Sequence, residues 1–312
     1  MTDQTCDSTG KTPPSPELLA RVRAWVAADP DPATRDELKQ LIACDDGAAM
    51  SDRFDSALSF GTAGLRGALG AGPNRMNRVV VAHASAGFAA YLRDTAGEHP
   101  LVVIGRDART NSDVFAEDAA RVFAGAGCQV VLIPHAVPTP VLAFAVRHLG
   151  AAAGVMVTAS HNPAGDNGYK VYLGGVDDGV QIVSPTDALI LERIVEARNT
   201  RFADLPRGEF DHTDDSLIDA YVRATAAVAP ATVGEFPLVA YTPLHGVGLD
   251  IVTRVLAHAG FPALSVVPGQ AEPDGSFPTV TFPNPEEDGA LDDVVAHGES
   301  IGADLLLSLI HI

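Results

Sequence analysis

Cysteine and positive charge are both scarce in this chain. Cys6, Cys44 and Cys128 are odd in number and far apart, with no Cys-x-x-Cys pair, so neither a disulfide framework nor a thiolate zinc site is predicted, and a reducing cytoplasm fits. Lys and Arg number 21 against 40 Asp and Glu, giving a formal net charge of -19 and a sequence pI near 4.7. An acidic surface repels polyanions, which argues against nucleic acid and anionic membrane as partners. No apolar run is long enough to span a bilayer. The start, Met1 to Pro16, lacks the basic-then-apolar order of a signal peptide, so a cytoplasmic protein is expected.

What is present suits a folded chain. With 312 residues, 46% hydrophobic and 20% charged, there is length for two domains and a sizeable core. Residues 1–15 are polar and Pro-rich and read as disordered. Helical spacing starts at Pro16, a second helix is predicted over Pro32 to Ala43 and a third over Ser51 to Leu58. Strands then alternate with helices. The predicted strands are Leu101 to Ile104, Cys128 to Ile133 and Ala151 to Val157; the helices are Arg78 to Arg93, Ser112 to Ala124, Thr139 to His148 and Ser184 to Arg198. In the last of these Leu189, Ile190, Ile194 and Val195 form the expected apolar face. The alternation implies layered α/β/α domains with a mixed, largely parallel sheet.

The pattern breaks into Pro, Gly and acidic residues around Phe202 to Asp215, which is read as a domain boundary. Three regions follow: a tail with helices over 1–48, a first domain over 49–205 and a second over 206–312. In the second, a helix is predicted over Asp214 to Val228, strands near Pro237 to Tyr241 and Leu264 to Val267, and a helix near Leu291 to Ile301.

The chain is organised around Thr158-Ala159-Ser160-His161-Asn162-Pro163, followed by Ala164-Gly165-Asp166-Asn167-Gly168-Tyr169-Lys170. A buried strand leads in and the glycines and proline forbid its continuation, so Ser160 sits on a bend at a strand's carboxyl end, where open parallel sheets place ligands. Asn167-Gly168 is predicted as a tight turn, returning Lys170 beside the serine. Other polar loops are Phe60-Gly61-Thr62-Ala63-Gly64-Leu65-Arg66-Gly67, Gly105-Arg106-Asp107-Ala108-Arg109, Thr242-Pro243-Leu244-His245-Gly246-Val247-Gly248, Pro273 to Pro278 and Pro283 to Glu286.

Together these segments resemble, in order, the motifs of the α-D-phosphohexomutases, the phosphoglucomutase and phosphomannomutase family. The wording around Arg66 and the helical preface are most similar to the phosphoglucomutase-2 and phosphopentomutase type. The resemblance implies a phosphotransferase of the isomerase class, acting within the sugar: phosphorylated Ser160 gives its phosphoryl group to a hexose or pentose phosphate, and a bisphosphorylated sugar, also the activator, returns the other. It implies sugar 1- and 6-phosphates or pentose 1- and 5-phosphates as small-molecule partners, and Mg2+ held by the Ser160 phosphate and an aspartate loop. Arg66 would clamp the phosphoserine, with Thr62 and Asn162 beside it, and His161 and Lys170 are candidates for proton transfer or charge support, without assignment as acid or base. Arg106 and Arg109 either face phosphate or pair with Asp107 in a solvated loop; His245 either contacts a phosphate oxygen or caps its loop.

Since an acidic protein also repels a sugar phosphate, such a site must gather cations locally. The resemblance covers roughly residues 50–307 and implies two further domains and a carboxylate triad after a strand like Ala303 to Leu307. Here Ser308-Leu309-Ile310-His311-Ile312 follows, so this chain is expected to be an inactive or weakly active fragment, or a non-catalytic sugar-phosphate binder. A serine hydrolase is disfavoured because the setting is not Gly-x-Ser-x-Gly and His161 is expected to point away from Ser160. Oligomeric state and the sugar are left open.

Overall fold

The computed structural model describes residues 12–229 and 235–308; most of the tail read as disordered, and residues 309–312 of the C-terminal reading, lie outside the described residues. Three helices open the chain: α1 (Pro16–Ala28), α2 (Pro32–Ala43) and α3 (Gly47–Phe54). Ser15 and Asp31 cap α1 and α2 through their side chains, each with proline in the first turn, where a missing N–H costs nothing. The third helix starts earlier than the sequence reading because Asp46 supplies its cap, accepting the Ala49 N–H at 3.1 Å. Leu18, Val22, Leu38, Met50, Phe54 and Ala71 form a separate small core under these helices. Glu37 fastens them to the body, taking Arg53 Nε at 2.7 Å and the Ala71 N–H at 2.9 Å.

The first α/β unit runs β1 (Leu65–Ala68), α4 (Arg78–Ala96), β2 (Leu101–Arg106), α5 (Ser112–Gly125), β3 (Gln129–Leu132), α6 (Thr139–His148), β4 (Ala153–Val157), β5 (Asp166–Leu173), β6 (Val180–Gln181), α7 (Thr186–Ala197) and β7 (Asp211–His212). Its sheet has the order β1-β5-β4-β2-β3-β7, with β6 on β5. The β4-β2-β3-β7 part is parallel, and β5 reverses direction against both β4 and β1. The edge strand β7 still joins this sheet although it follows the predicted boundary at 205/206. One core, with Phe88, Ile104, Phe123, Val155 and Tyr169, lies under α4, α5 and α7; the other, with Val103, Leu142 and Met156, lies under α6. On α7 Ile190 and Ile194 are buried but Leu189 and Val195 are exposed, because the i,i+4 pair alone meets α4.

Asn167-Gly168 is not a turn. Both residues lie inside β5, paired with Gly67 and Arg66, and the reversal happens earlier, over 158–165. The tight-turn rule assumed Asn167 would be solvated, whereas its amide is buried and holds other backbone, as described below.

The second unit comprises α8 (Ser216–Ala226), β8 (Val239–Thr242), α9 (Leu249–His258), β9 (Ser265–Val266), α10 (Asp292–Ile301) and β10 (Leu305–Ser308), with a parallel sheet ordered β10-β8-β9. Leu217, Ile218 and Val222 of α8 and Ile251 of α9 join the same apolar cluster as Leu142 and Val146 of α6, while Ala240, Val267 and Val294 form a separate small core beneath the second sheet. Cys44 is disulfide-bonded, a correction to the reading from cysteine spacing, since distance along the chain does not bound distance in the fold. Cys128 is a buried free thiol. Among the described residues no helix is long and apolar enough to cross a membrane.

Candidate functional site

Strand β4 is buried throughout and ends against a loop that bends at once. Ser160 adopts a left-handed backbone, with φ 58°, which costs an L-residue roughly 1–2 kcal/mol and persists only if its surroundings dictate it. They do. Thr158 Oγ1 accepts the Ser160 N–H at 2.9 Å, the Asn162 N–H reaches Ala159 O at 3.1 Å and the Asp166 N–H reaches Pro163 O at 3.0 Å. Asn162 Nδ2 donates to Asp166 Oδ2 at 2.8 Å, so the Asn162 side chain closes the loop instead of facing a ligand.

The strongest constraint comes from Arg109. Its guanidinium donates to four carbonyls of the serine loop: Ser160 at 2.9 Å, Asn162 at 2.6 Å, Pro163 at 2.8 Å and Asp166 at 3.1 Å. Its Nε lies 3.6 Å from Asp107 Oδ2, and both side chains are fully buried. The Nη groups thus make four hydrogen bonds, while Nε and Asp107 Oδ2 face each other as an ion pair without a hydrogen bond. Arg109 does pair with Asp107, as one of its two readings had it, but the pair is buried and not solvated, so the arginine is an internal strut. Burial pushes Asp107 up and Arg109 down; arginine keeps its proton in proteins, and its charge, with hydrogen bonds from Ser112 and the Arg109 N–H, opposes the rise at Asp107. Asp107 Oδ1 also accepts the Arg109 N–H at 2.9 Å and the Ser112 hydroxyl at 2.6 Å. Asn167 Nδ2 in turn donates to Thr110 O at 2.9 Å and Ser112 Oγ at 3.0 Å, tying β5 to the same turn. Sequence reading missed Asp107, Ser112 and Asn167 as positioning groups; a polar residue in a buried strand was the available signal.

Among the described residues Arg66 and Lys170 make no salt bridge. Arg66, on β1, is exposed and lies opposite Gly168; Lys170 is two residues further along β5, on the same face. Lys170 is held below the usual lysine range, first by burial and then by the neighbouring charge of Arg66, while Asp107 opposes the shift. The loop before β1 fits against β5 at Gly64, where φ is 73° and a Cβ would stand 2.0 Å from the Tyr169 carbonyl oxygen. Only glycine allows that approach. Thr62, in the same loop, is exposed, and its carbonyl accepts from Gln181 Nε2 at 2.7 Å.

The remaining predicted residues divide. His161 is exposed, and its Nδ1 lies 3.4 Å from Ser160 Oγ, a correction to the expectation that it points away: the left-handed turn brings adjacent side chains round to one side. Among the described residues nothing orients its other nitrogen, as a hydrolase would require. Arg106 turns elsewhere, lining a surface cavity of about 380 Å3 with Asp113, Glu117 and Arg121. His245 is buried in the second unit, its Nε2 2.9 Å from Thr279 Oγ1, beside a network in which Gln270 Nε2 donates to Thr279 Oγ1 and Asp293 Oδ2. It therefore braces a loop in place of touching the serine.

Among the described residues no three His, Cys, Asp or Glu side chains stand together as metal ligands. Magnesium needs several oxygen donors in near-octahedral array, so the described residues do not by themselves fit it, and no step below runs through a metal.

The architecture defines a two-unit layered α/β protein that presents a serine at the carboxyl end of a sheet strand. Residues 57–201 match the phosphoglucomutase/phosphomannomutase α/β/α domain I and residues 219–309 match domain II. The chain belongs to this family, the α-D-phosphohexomutases, which are phosphomutases. It is 47% identical over 234 residues to a Haemophilus influenzae protein named a probable phosphomannomutase, a match covering 75% of this chain and 48% of the relative. It is 38% identical over 322 residues to the phosphoribomutase of Saccharomyces cerevisiae, covering 96% of this chain and 51% of that protein. A crystal structure of a phosphoglucomutase/phosphomannomutase family protein from Burkholderia thailandensis superposes with a TM-score of 0.63 at 27% identity, covering 78% of this chain and 50% of that one. The chain spans about half the length of the curated relatives it matches.

Proposed function

We propose that Ser160 is the phosphoryl carrier of a phospho-sugar mutase that interconverts sugar 1- and 6-phosphates, or pentose 1- and 5-phosphates. The observation that supports this most directly is the serine loop: Arg109 holds the carbonyls around the left-handed Ser160, and Arg66 and Lys170, on one face of the neighbouring β1–β5 pair, have no salt-bridge partner among the described residues. Phosphoryl transfer depends on positioning and charge neutralisation more than on covalent help from the protein, and a chain of net charge -19 can attract an anionic sugar only through such a local cluster.

In the proposed cycle the bond between Ser160 Oγ and phosphorus breaks as one forms to a sugar hydroxyl oxygen, whose proton leaves to a base. The resulting bisphosphate returns its other phosphoryl group to Ser160 Oγ. Arg66 neutralises the phosphoryl oxygens. Lys170, whose proton affinity is lowered by burial and by Arg66, and His161, which lies beside the hydroxyl, are the groups placed to take up or return that proton.

The test is incubation of the chain with glucose 1,6-bisphosphate, followed by intact-mass and peptide analysis. The expected result is one phosphate, on Ser160, absent from Ser160→Ala. Phosphate on another residue, or labelling that survives the substitution, overturns the assignment.

A further inference from the structure

The strut that shapes the serine loop is itself covered from the other unit. Phe277, in the loop Pro273 to Pro278, lays its ring 4.9 Å from the Arg109 guanidinium carbon and is 2% exposed. Two residues earlier, a Cβ on Gly275 would stand 2.7 Å from the Ala108 carbonyl oxygen and 2.8 Å from Arg109 Cα, so the backbones of the two units touch there. The loop is rigid for reasons of its own. The Asp274 N–H donates to the His245 carbonyl at 2.9 Å, the Phe277 N–H to Asp274 O at 3.1 Å, and Phe277 takes a left-handed φ of 49°. Behind it stands the hydrogen-bonded pair of His245 and Thr279.

We propose that Phe277 is a positioning residue for Ser160, acting through Arg109. The edges of the guanidinium are bonded to the four loop carbonyls and its flat face is open to stacking, so an aromatic ring there fixes the plane of the fork without competing for its hydrogen bonds. The orientation of that plane determines where all four carbonyls, and hence the Ser160 hydroxyl, can stand. The second unit thereby sets the geometry of the first unit's reacting group, although none of its side chains bonds to the serine loop among the described residues. That the positioned hydroxyl carries phosphate rests on the function proposed above; the positioning itself does not.

The experiment compares amide hydrogen exchange in the whole chain and in Phe277→Leu, which keeps apolar bulk but removes the ring, and Phe277→Tyr, which restores it. The Asn162 and Asp166 amides, both hydrogen-bonded inside the loop, should exchange about thirtyfold faster in Phe277→Leu, as loss of one desolvated cation–π contact implies, and return to the parent rate in Phe277→Tyr. The amides of β2 and β4 should not change. Unchanged loop exchange in Phe277→Leu, or equal acceleration in loop and strands, overturns the proposal. Phosphate uptake from glucose 1,6-bisphosphate is read in parallel and should slow by a similar factor in Phe277→Leu alone. Failure of the parent chain to take up phosphate while the exchange pattern holds would refute the phosphoserine reading and leave the positioning intact.

Discussion

Arg66 and Lys170 stand diagonally across the β1–β5 pair, with Gly168 between them and no carboxylate bonded to either among the described residues. Two like charges are normally kept apart across a sheet, since their repulsion destabilises the pairing. Their closeness here is a standing electrostatic demand for an anion.

The first consequence is measurable on Lys170, one of three lysines with Lys11 and Lys39. Burial and Arg66 lower its proton affinity, so competitive acetylation across a pH series should give Lys170 a lower midpoint than exposed Lys39. The same shift fixes the sign of the stability effect. Below the folded-state pKa the buried charge is paid for in full, and stability rises as pH climbs through that value toward the unfolded-state one. Lys170→Met should therefore raise the urea midpoint at neutral pH, with the gain shrinking at strongly alkaline pH. A midpoint for Lys170 equal to that of Lys39 would refute the argument.

Arg109→Met should cost about 3 kcal/mol in urea unfolding, because it strands the buried Asp107 carboxylate and frees four carbonyls. Limited proteolysis should then cut within residues 160–166 before any other site. A cost below about 1 kcal/mol would show that the strut is dispensable.

Gly64→Ala places a methyl group against the Tyr169 carbonyl and demands a left-handed alanine. We expect a loss of about 3 kcal/mol and a parallel drop in Ser160 phosphorylation, since β1 carries Arg66. Phosphorylation at the parent rate in the folded variant would separate Arg66 from the reaction.

Cys128 is a free thiol that burial pushes up to about 11. At pH 8 its thiolate fraction, and so its rate of alkylation by iodoacetamide, should be about a hundredfold below that of an ordinary thiol until urea unfolds the chain. Native-state labelling as fast as that in urea would contradict the packing around β3.

Much of this site was legible from the sequence, and the exceptions have physical causes. The bend at Ser160 followed from an apolar run ending in glycine and proline, and the alternation of strands and helices gave the layered fold. For Arg109 the pairing with Asp107 was one of two readings, but sequence shows a charge without its burial: an arginine that bonds to carbonyls looks the same as one awaiting phosphate. Of the two readings of His245, the sequence could not choose loop bracing, because its partner Thr279 lies 34 residues away along the chain. His161 was misplaced because alternation of neighbouring side chains presumes extended backbone, and Ser160 is left-handed. Asn167-Gly168 obeyed tertiary hydrogen bonding over local turn preference.

Helix α8 lies wedged between α6 and α9, its leucine, isoleucine and valine sharing one apolar cluster with Leu142 and Val146 of the first unit and Ile251 of the second. Such a joint has no lubricated plane along which one half can slide past the other. Any breathing of this molecule around a guest must come from its surface loops, and heating should collapse both halves in a single step.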